Sequence, residues 1–183
     1  MSVLDASFRF ETERLLLRAP APDDVEEVQE AIEESFEELH PWIPWAAQPQ
    51  TFEETLEFLV KAQADFERGE NYVVLAWLRD SGRLALGTGL HPRNPKVPAF
   101  EIGYWCRTSL VGRGLVLEAV RAMRHLGVET LGAQRLEIRC DPRNERSARV
   151  AERAGFEHEA TLRRNHRAND GALADSLVYS FLP

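Results

Sequence analysis

Between residues 72 and 140 the chain runs three strand patterns in succession, breaks at a pair of glycines, and carries a long helical pattern into a fourth strand. This order narrows the possible folds more than any single residue does. Residues 72–78, YVVLAWL, are an apolar run of strand length. Asp80-Ser81-Gly82-Arg83 is a turn signal, and residues 84–91 return as the second arm of a hairpin. Pro92, Pro95 and Pro98 mark a loop before a further strand at residues 99–107, AFEIGYWCR. Gly112-Arg113-Gly114 then leads into apolar positions at Leu117, Val120, Met123, Leu126 and Leu131, with Gly132 ending the helix. Residues 134–140 alternate as a strand.

The flanks complete the pattern. Residues 13–18, ERLLLR, read as a buried first strand, broken by Ala19-Pro20-Ala21-Pro22. Asp23 sits where a helix N-cap belongs, with Glu26 three residues on, and Val25, Val28, Ile32 and Phe36 form an apolar stripe. His40-Pro41-Trp42-Ile43-Pro44-Trp45 is a loop, because each proline restricts the residue before it. Thr51 and Glu54 form a second capping box, and the helix they open runs to Gly69. Beyond residue 140, Asp141-Pro142-Arg143-Asn144 turns the chain into a short helix at 145–154, and residues 156–162 and 174–181 are final strands. The order is β-α-α-β-β-β-α-β-α-β-β. No repeat, linker or low-complexity tract interrupts it, so residues 1–183 are expected to form one domain of α+β or mixed α/β class.

Composition excludes several partners. A chain of 183 residues buries roughly 70% of its unfolded surface and needs no metal or disulfide staple. With 22 Lys and Arg against 30 Asp and Glu, the net charge of −8 argues against a nucleic-acid backbone and against an anionic membrane surface. Cys106 and Cys140 show no CxxC, and no histidines stand at ligand spacing, so neither a disulfide framework nor a metal site is expected, and a reducing cytoplasm is the default location. The segment MSVLDASFRFETERL has no apolar core and does not read as a signal peptide. The charge is uneven: residues 23–38 hold nine acids and no Lys or Arg, whereas residues 107–167 hold thirteen Arg against eight acids. The acidic run reads either as a solvated helix face or as a surface that faces a cation.

The most chemically loaded segment is the strand, Gly112-Arg113-Gly114, helix junction. Glycines at a helix start let backbone N–H groups point at an anion, with about half a positive charge from the helix dipole. A phosphate or pyrophosphate is the natural ligand; a simple tight turn is the competing explanation. Leu117 removes the third glycine of G-x-G-x-x-G, and no G-K-[ST] follows, so neither the dinucleotide fingerprint nor the P-loop applies.

Around this turn, EIGYWCRTSLVGRGLVLEAVRAM resembles the acetyl-CoA-binding segment of the GNAT superfamily of N-acetyltransferases. TERLLLRAPAPDD, ELHPWIPW with TFEETLEFL, Asn144-Glu145-Arg146-Ser147 up to Ala154-Gly155-Phe156, and Gly171 to Asp175 with Leu177-Val178-Tyr179 are similar to the branch that contains the ribosomal-protein N-terminal acetyltransferases. The resemblance runs from about residue 11 to the C-terminus. It implies a three-layer fold with a central twisted mixed sheet of about seven strands, helices on both faces, and two central parallel strands splayed to admit the pantetheine arm. Backbone groups of Trp105, Cys106 and Arg107 would pair with the arm. N–H groups of Gly112, Arg113, Gly114, Leu115, Val116 and Leu117 would hold the pyrophosphate, and Asn144 and Ser147 would lie near the sulfur. Val111 and Val116 depart from the family's Gln/Arg-x-x-Gly-x-Gly/Ala signature, which puts the fit of the pyrophosphate in question. Dimers are common in this branch.

The reaction implied is transfer of an acetyl group from acetyl-CoA, a co-substrate, to a primary amine by direct attack in a ternary complex, without a metal. Glu101 is the candidate base, and a strand carboxylate bonded to a neighbour is the alternative. Ser147 is the candidate proton donor to the thiolate, and a serine bonded to its own helix is the alternative. Trp42 and Trp45 would line the acceptor side or else plug the core, and Asp175 would fix either the acceptor amine or the loop beside it. If the acidic helices rim the acceptor groove, they favour a cationic acceptor, such as a basic peptide N-terminus or a small amine. Cys106 and Cys140 read as buried strand thiols rather than nucleophiles, and the five histidines as structural or exposed. Two other readings compete: a non-catalytic acyl-CoA-binding or regulatory module on the same fold, and a Rossmann-type nucleotide domain, which the hairpin-rich order disfavours.

Overall fold

The computed structural model describes residues 4–94 and 96–183. Met1, Ser2, Val3 and Pro95, the last assigned by sequence to a loop, lie outside the described residues. The strands are β1 (Arg9–Glu11), β2 (Leu15–Arg18), β3 (Tyr72–Leu78), β4 (Leu84–Asn94), β5 (Ala99–Cys106), β6 (Arg135–Cys140), β7 (Glu157–Arg167) and β8 (Leu173–Phe181). The helices are α1 (Val25–Leu39), α2 (Phe52–Arg68), α3 (Leu115–Glu129) and α4 (Glu145–Arg153). The strands form a single sheet in the order β1-β2-β3-β4-β5-β6-β8-β7. Among the described residues only β5 and β6 run parallel, because α3 carries the chain back across one face between them.

Among the described residues the sheet has eight strands, one more than the seven or so expected. The additional one, β1, is three residues long, too short to show a period. Two further boundaries differ from expectation. Strand β4 continues through Pro92 to Asn94, with a register shift against β5 between Pro92 and Asn94; a bulge is where a strand tolerates a proline. The helix start at Asp23 is a short 3-10 turn, Pro22–Asp24, and the Asp24 carboxylate pairs with Arg18 at 2.5 Å instead of capping α1. The Thr51–Glu54 capping box is present, with Glu54 N donating to Thr51 Oγ1 at 3.2 Å and Thr51 N to the Glu54 carboxylate at 2.8 Å. Gly69 ends α2 in the left-handed region at φ 71°.

Alternation along the strands splits the core in two. Leu75 and Leu84 pack beneath α1 and α2 through Val25, Val28, Ala31, Ile32 and Leu59. On the other face Leu86, Leu90, Ile102, Leu136 and Ile138 meet Leu115, Ala119, Val120, Met123 and Leu126 of α3. Each such Val, Leu, Ile or Met side chain contributes roughly 1.5–3 kcal/mol of burial, and the alanines less. Gly127 brings α3 close: a Cβ there would stand 3.0 Å from Leu136 Cδ2 and 3.3 Å from Leu90 Cδ2. Helices on both faces of one mixed sheet give the three layers expected.

Candidate active site

The two parallel strands pair over only three rungs, Ala99 with Arg135, Phe100 with Leu136, and Glu101 with Glu137. Beyond Glu101 they part, although β5 continues to Cys106 and β6 to Cys140. Which backbone groups face the gap follows from alternation. Arg107 N–H donates to the Ala85 carbonyl on the β4 side at 3.0 Å, and the Pro98 carbonyl accepts from Gln134 N on the β6 side at 2.8 Å. Odd-numbered residues of β5 therefore turn their amides to β4, and Ile102, Tyr104 and Cys106 turn theirs to the gap. This corrects the expected set: of Trp105, Cys106 and Arg107, only Cys106 presents its backbone there, and Ile102 and Tyr104 join it.

At the end of β5 a 3-10 turn, Thr108–Leu110, precedes Gly112 and Gly114 at φ 82° and 77°. Both angles lie in the left-handed region, which glycine adopts without strain. The Gly114 carbonyl accepts the first helical bond of α3 from Glu118 N at 3.1 Å, so the N–H groups of Leu115, Val116 and Leu117 sit at an uncapped helix start. Val116 packs against the core, while Val111 is exposed. Arg113 is exposed and donates to the Ser109 carbonyl. A cation that sequence reasoning did not single out stands beside the turn: Arg14 donates to the Arg113 carbonyl at 2.8 Å and pairs with Glu118 at 2.6 Å.

Across the gap, Asn144 caps α4 by accepting from Ser147 N at 3.1 Å. The Ser147 hydroxyl meets the Tyr104 hydroxyl at 2.9 Å. Ser147 is thus joined to β5 rather than to its own helix. Tyr104 was not among the expected residues, since its partner is 43 positions away. Burial raises the Tyr104 phenol, opposed by the Ser147 bond, so it stays protonated and can donate. Burial pushes the Cys106 thiol up to about 11 and raises Cys140 as well, so neither is a thiolate at neutral pH.

Glu101 occupies the last paired rung, its side chain mostly buried. Burial raises its carboxyl above the ordinary value, against the pull of Arg93 at 3.5 Å and Arg139 at 3.8 Å. Glu137, its partner on β6, is instead held down by Arg135 and Arg139 at 2.7 and 2.8 Å, despite its own burial. Two carboxylates on one rung are therefore driven apart in acidity, a pattern that separates a proton-transfer group from a structural one.

Six of the thirteen arginines of residues 107–167 pair with acids: Arg107, Arg135, Arg139, Arg143, Arg146 and Arg149. Arg107 has no exposed side-chain surface and is enclosed by Glu27 at 2.7 Å, Glu34 at 2.7 Å and Glu30, all on one face of α1. Glu34 also accepts from Ser109 N at 2.8 Å, and Ser35 Oγ from Thr108 N at 3.0 Å. Three acids of the run thus anchor the segment leading to the glycine turn. Those three carboxylates are thus already paired with a buried cation, and Arg107, with no exposed side-chain surface, is closed off from an anion in solution. Arg143 pairs with Asp141 at 2.7 Å.

Trp42 and Trp45 are 38% and 41% exposed, so neither plugs the core. Trp45 stands edge-on to Trp105 with ring centroids 6.0 Å apart. Asn169 in the β7–β8 turn donates to the His40 and Ile43 carbonyls at 2.6 and 3.0 Å and ties that loop down. Asp175 accepts from Arg164 N at 2.8 Å, fixing a strand irregularity where Arg164 has φ 49°.

Residues 14–157 match the acetyltransferase (GNAT) domain family. YdaF of Bacillus subtilis (strain 168), which carries the name of a ribosomal N-acetyltransferase, is 28% identical over 170 residues, 93% of this chain and 92% of its own. Among solved structures, RimL, named as a ribosomal L7/L12 alpha-N-protein acetyltransferase and solved in complex with coenzyme A, superposes with a TM-score of 0.87 at 22% identity, covering 96% of this chain and 98% of its own. MccE, a Microcin C7 self-immunity acetyltransferase solved with acetyl-CoA and AMP, gives 0.86 at 20% identity, covering 94% of each chain. At these identities the two structures speak for the fold.

Proposed function

The chain belongs to the GNAT acetyltransferase family, and from that premise we propose that it moves an acetyl group from acetyl-CoA to a primary amine, by direct attack within one ternary complex. The observation that supports this most is the parting of β5 and β6 beyond Glu101. It leaves a strand edge free for an amide-bearing arm, next to a glycine turn suited to a pyrophosphate. The acceptor is a protein N-terminus or a small amine; the names of RimL and YdaF favour the former.

In this reading the N–H groups of Gly112 to Leu117 hold the pyrophosphate, with Arg14 beside them. The gap-facing amides of Ile102, Tyr104 and Cys106 hold the arm and place the thioester near Ser147. An amine attacks only with its lone pair free. Glu101, raised by burial, takes its proton through water. The carbonyl carbon gains the C–N bond and loses the C–S bond. The departing thiolate takes a proton from Ser147, whose hydroxyl Tyr104 positions, and the second proton shed by the nitrogen restores the Ser147 hydroxyl through water. Trp42 and Trp45 flank the acceptor and Asp175 holds the neighbouring hairpin in place. We place the reaction in the cytoplasm.

The test is thiol release from acetyl-CoA against short peptides with free N-termini and a set of small amines, alongside calorimetric binding of CoA. Turnover with at least one amine is expected. CoA binding with no turnover across the panel would favour a non-catalytic acyl-CoA module, and absence of both would remove the proposal.

A further inference from the structure

A protonated amine must give up two protons to become an amide. One exposes the lone pair, and the second leaves as the C–N bond forms. The balance is R–NH3⁺ + CH3CO–S–CoA → R–NH–COCH3 + HS–CoA + H⁺. One of the two protons ends on sulfur and the other in solvent. A single carboxylate takes one at a time, so a second acceptor near the nitrogen shortens the reaction path.

The sheet supplies one. His91 on β4 is the cross-strand partner of Glu101, so both side chains rise from the same face. Its Nδ1 lies 2.7 Å from Asn71 Oδ1. A carboxamide oxygen only accepts, so Nδ1 carries the hydrogen and Nε2 keeps the lone pair. The ring leans along the sheet toward the parted region. A Cβ at Gly89 would stand 3.0 Å from Nε2, and one at Gly103 would stand 3.2 Å from it. Glycines on two adjacent strands therefore make its seat. Gly103 lies between Glu101 and Trp105 on β5, and Trp105 meets Trp45 on that face.

The groups facing the ring are Arg93 on its own strand, Glu101 on β5 and Asn71 before β3. Glu137 and Arg139 stand one strand further out on the same rung and next to it. Glu70 beside Asn71 points to Arg68 at 2.9 Å. Burial and Arg93 hold His91 below its ordinary value, which keeps the ring neutral and ready to accept.

We propose that His91 is a second proton acceptor of the transfer reaction, oriented by Asn71 and acting on the acceptor nitrogen together with Glu101. The proposal rests on the acetyl-transfer reading above. The proton that Glu101 takes leaves through water to solvent. His91 Nε2 takes the other as the C–N bond forms, and it returns through water to Ser147 after Ser147 has protonated the thiolate.

The experiment uses the full chain, acetyl-CoA and the free-N-terminus peptide or amine turned over fastest by the unaltered protein. His91→Gln keeps a polar side chain that cannot take a proton. It is expected to lower kcat by about a hundredfold, with KM for acetyl-CoA changed less than about threefold. Asn71→Asp places a carboxylate against Nδ1 and raises the ring's proton affinity, so the acid limb of kcat/KM should move to higher pH by about one unit. This second variant needs no loss of activity and serves even if His91→Gln folds poorly. Turnover by the unaltered chain with an unmoved acid limb in Asn71→Asp, or with kcat of folded His91→Gln within threefold of the original, overturns the role of His91 and leaves acetyl transfer standing. No thiol release by the unaltered chain with any acceptor overturns both.

Discussion

Substituting Arg107→Met removes the buried charge enclosed by Glu27, Glu30 and Glu34, leaving the half-exposed Arg83 3.7 Å from Glu34, and the size of the effect follows from who is wet and who is dry. The arginine side chain has no exposed surface, whereas the three carboxylates keep 31%, 65% and 29% of theirs. Breaking a fully buried pair costs about 3–5 kcal/mol, because the survivor is left charged and dry. Here the survivors are partly hydrated, so the loss is discounted to about 2–3 kcal/mol. For a chain of this size one kcal/mol moves Tm by roughly 2–4 °C, giving a drop of about 4–12 °C in thermal unfolding followed by circular dichroism at pH 7. Glu30→Gln removes the most solvated partner and should cost less than about 1 kcal/mol. Acid adds a sign test. Burial raises the Glu34 carboxyl, but hydrogen bonds from Ser109 and Arg107 overcome it and leave the group below its ordinary 4.5. A depressed carboxyl stabilises the fold above the ordinary value and loses that contribution as pH falls through the lower folded value. The gap in Tm between Arg107→Met and the original should therefore narrow in acid. A gap below about 1 °C at pH 7, or one that widens in acid, refutes the reasoning.

Three further outcomes are expected. Glu101→Gln should lower kcat by about a hundredfold and take out of the acid limb of kcat/KM the contribution of its raised carboxyl, leaving the part set by His91; an unchanged pH–rate profile would count against it as base. Ser147→Ala should slow thiol release more than it weakens CoA binding, and Tyr104→Phe should do the same to a smaller degree, both read by steady-state kinetics beside calorimetry. Gly114→Ala forces φ 77° on a residue with a Cβ, though only Arg14 Nη2 stands near, at 3.6 Å; it should cost about 1–2 kcal/mol and weaken CoA binding several-fold. Gly132→Ala, at φ 65°, should cost as much stability with no effect on CoA.

What the sequence disclosed was local. The Thr51–Glu54 box and the Gly69 stop each depend on residues within a turn of one another, and each formed. The long periods of α1, α2 and α3 outweighed single propensities. The misses depend on partners far apart. Nothing near Arg107 announces that its guanidinium meets acids 73 to 80 positions earlier, so a cluster that reads as surface charge is a buried anchor. Trp105 was placed against the arm because a strand's two edges cannot be told apart until its neighbour is known. His91 looked unremarkable because Asn71 lies 20 positions away across a hairpin.

The glycine turn is pinned at both of its own ends by the N-terminal part of the chain. Arg14, 99 positions before Arg113, holds the Arg113 carbonyl, and Glu34 and Ser35 hold the amides of Ser109 and Thr108. The motif is therefore not portable. An excised fragment with every letter from residue 99 to 156 would carry the signature without the three anchors that shape it. Grafted onto another scaffold it would be a flexible loop. During synthesis the turn takes its final form only after the N-terminal strands and α1 have docked against it, so competence to bind is a property of the assembled sheet.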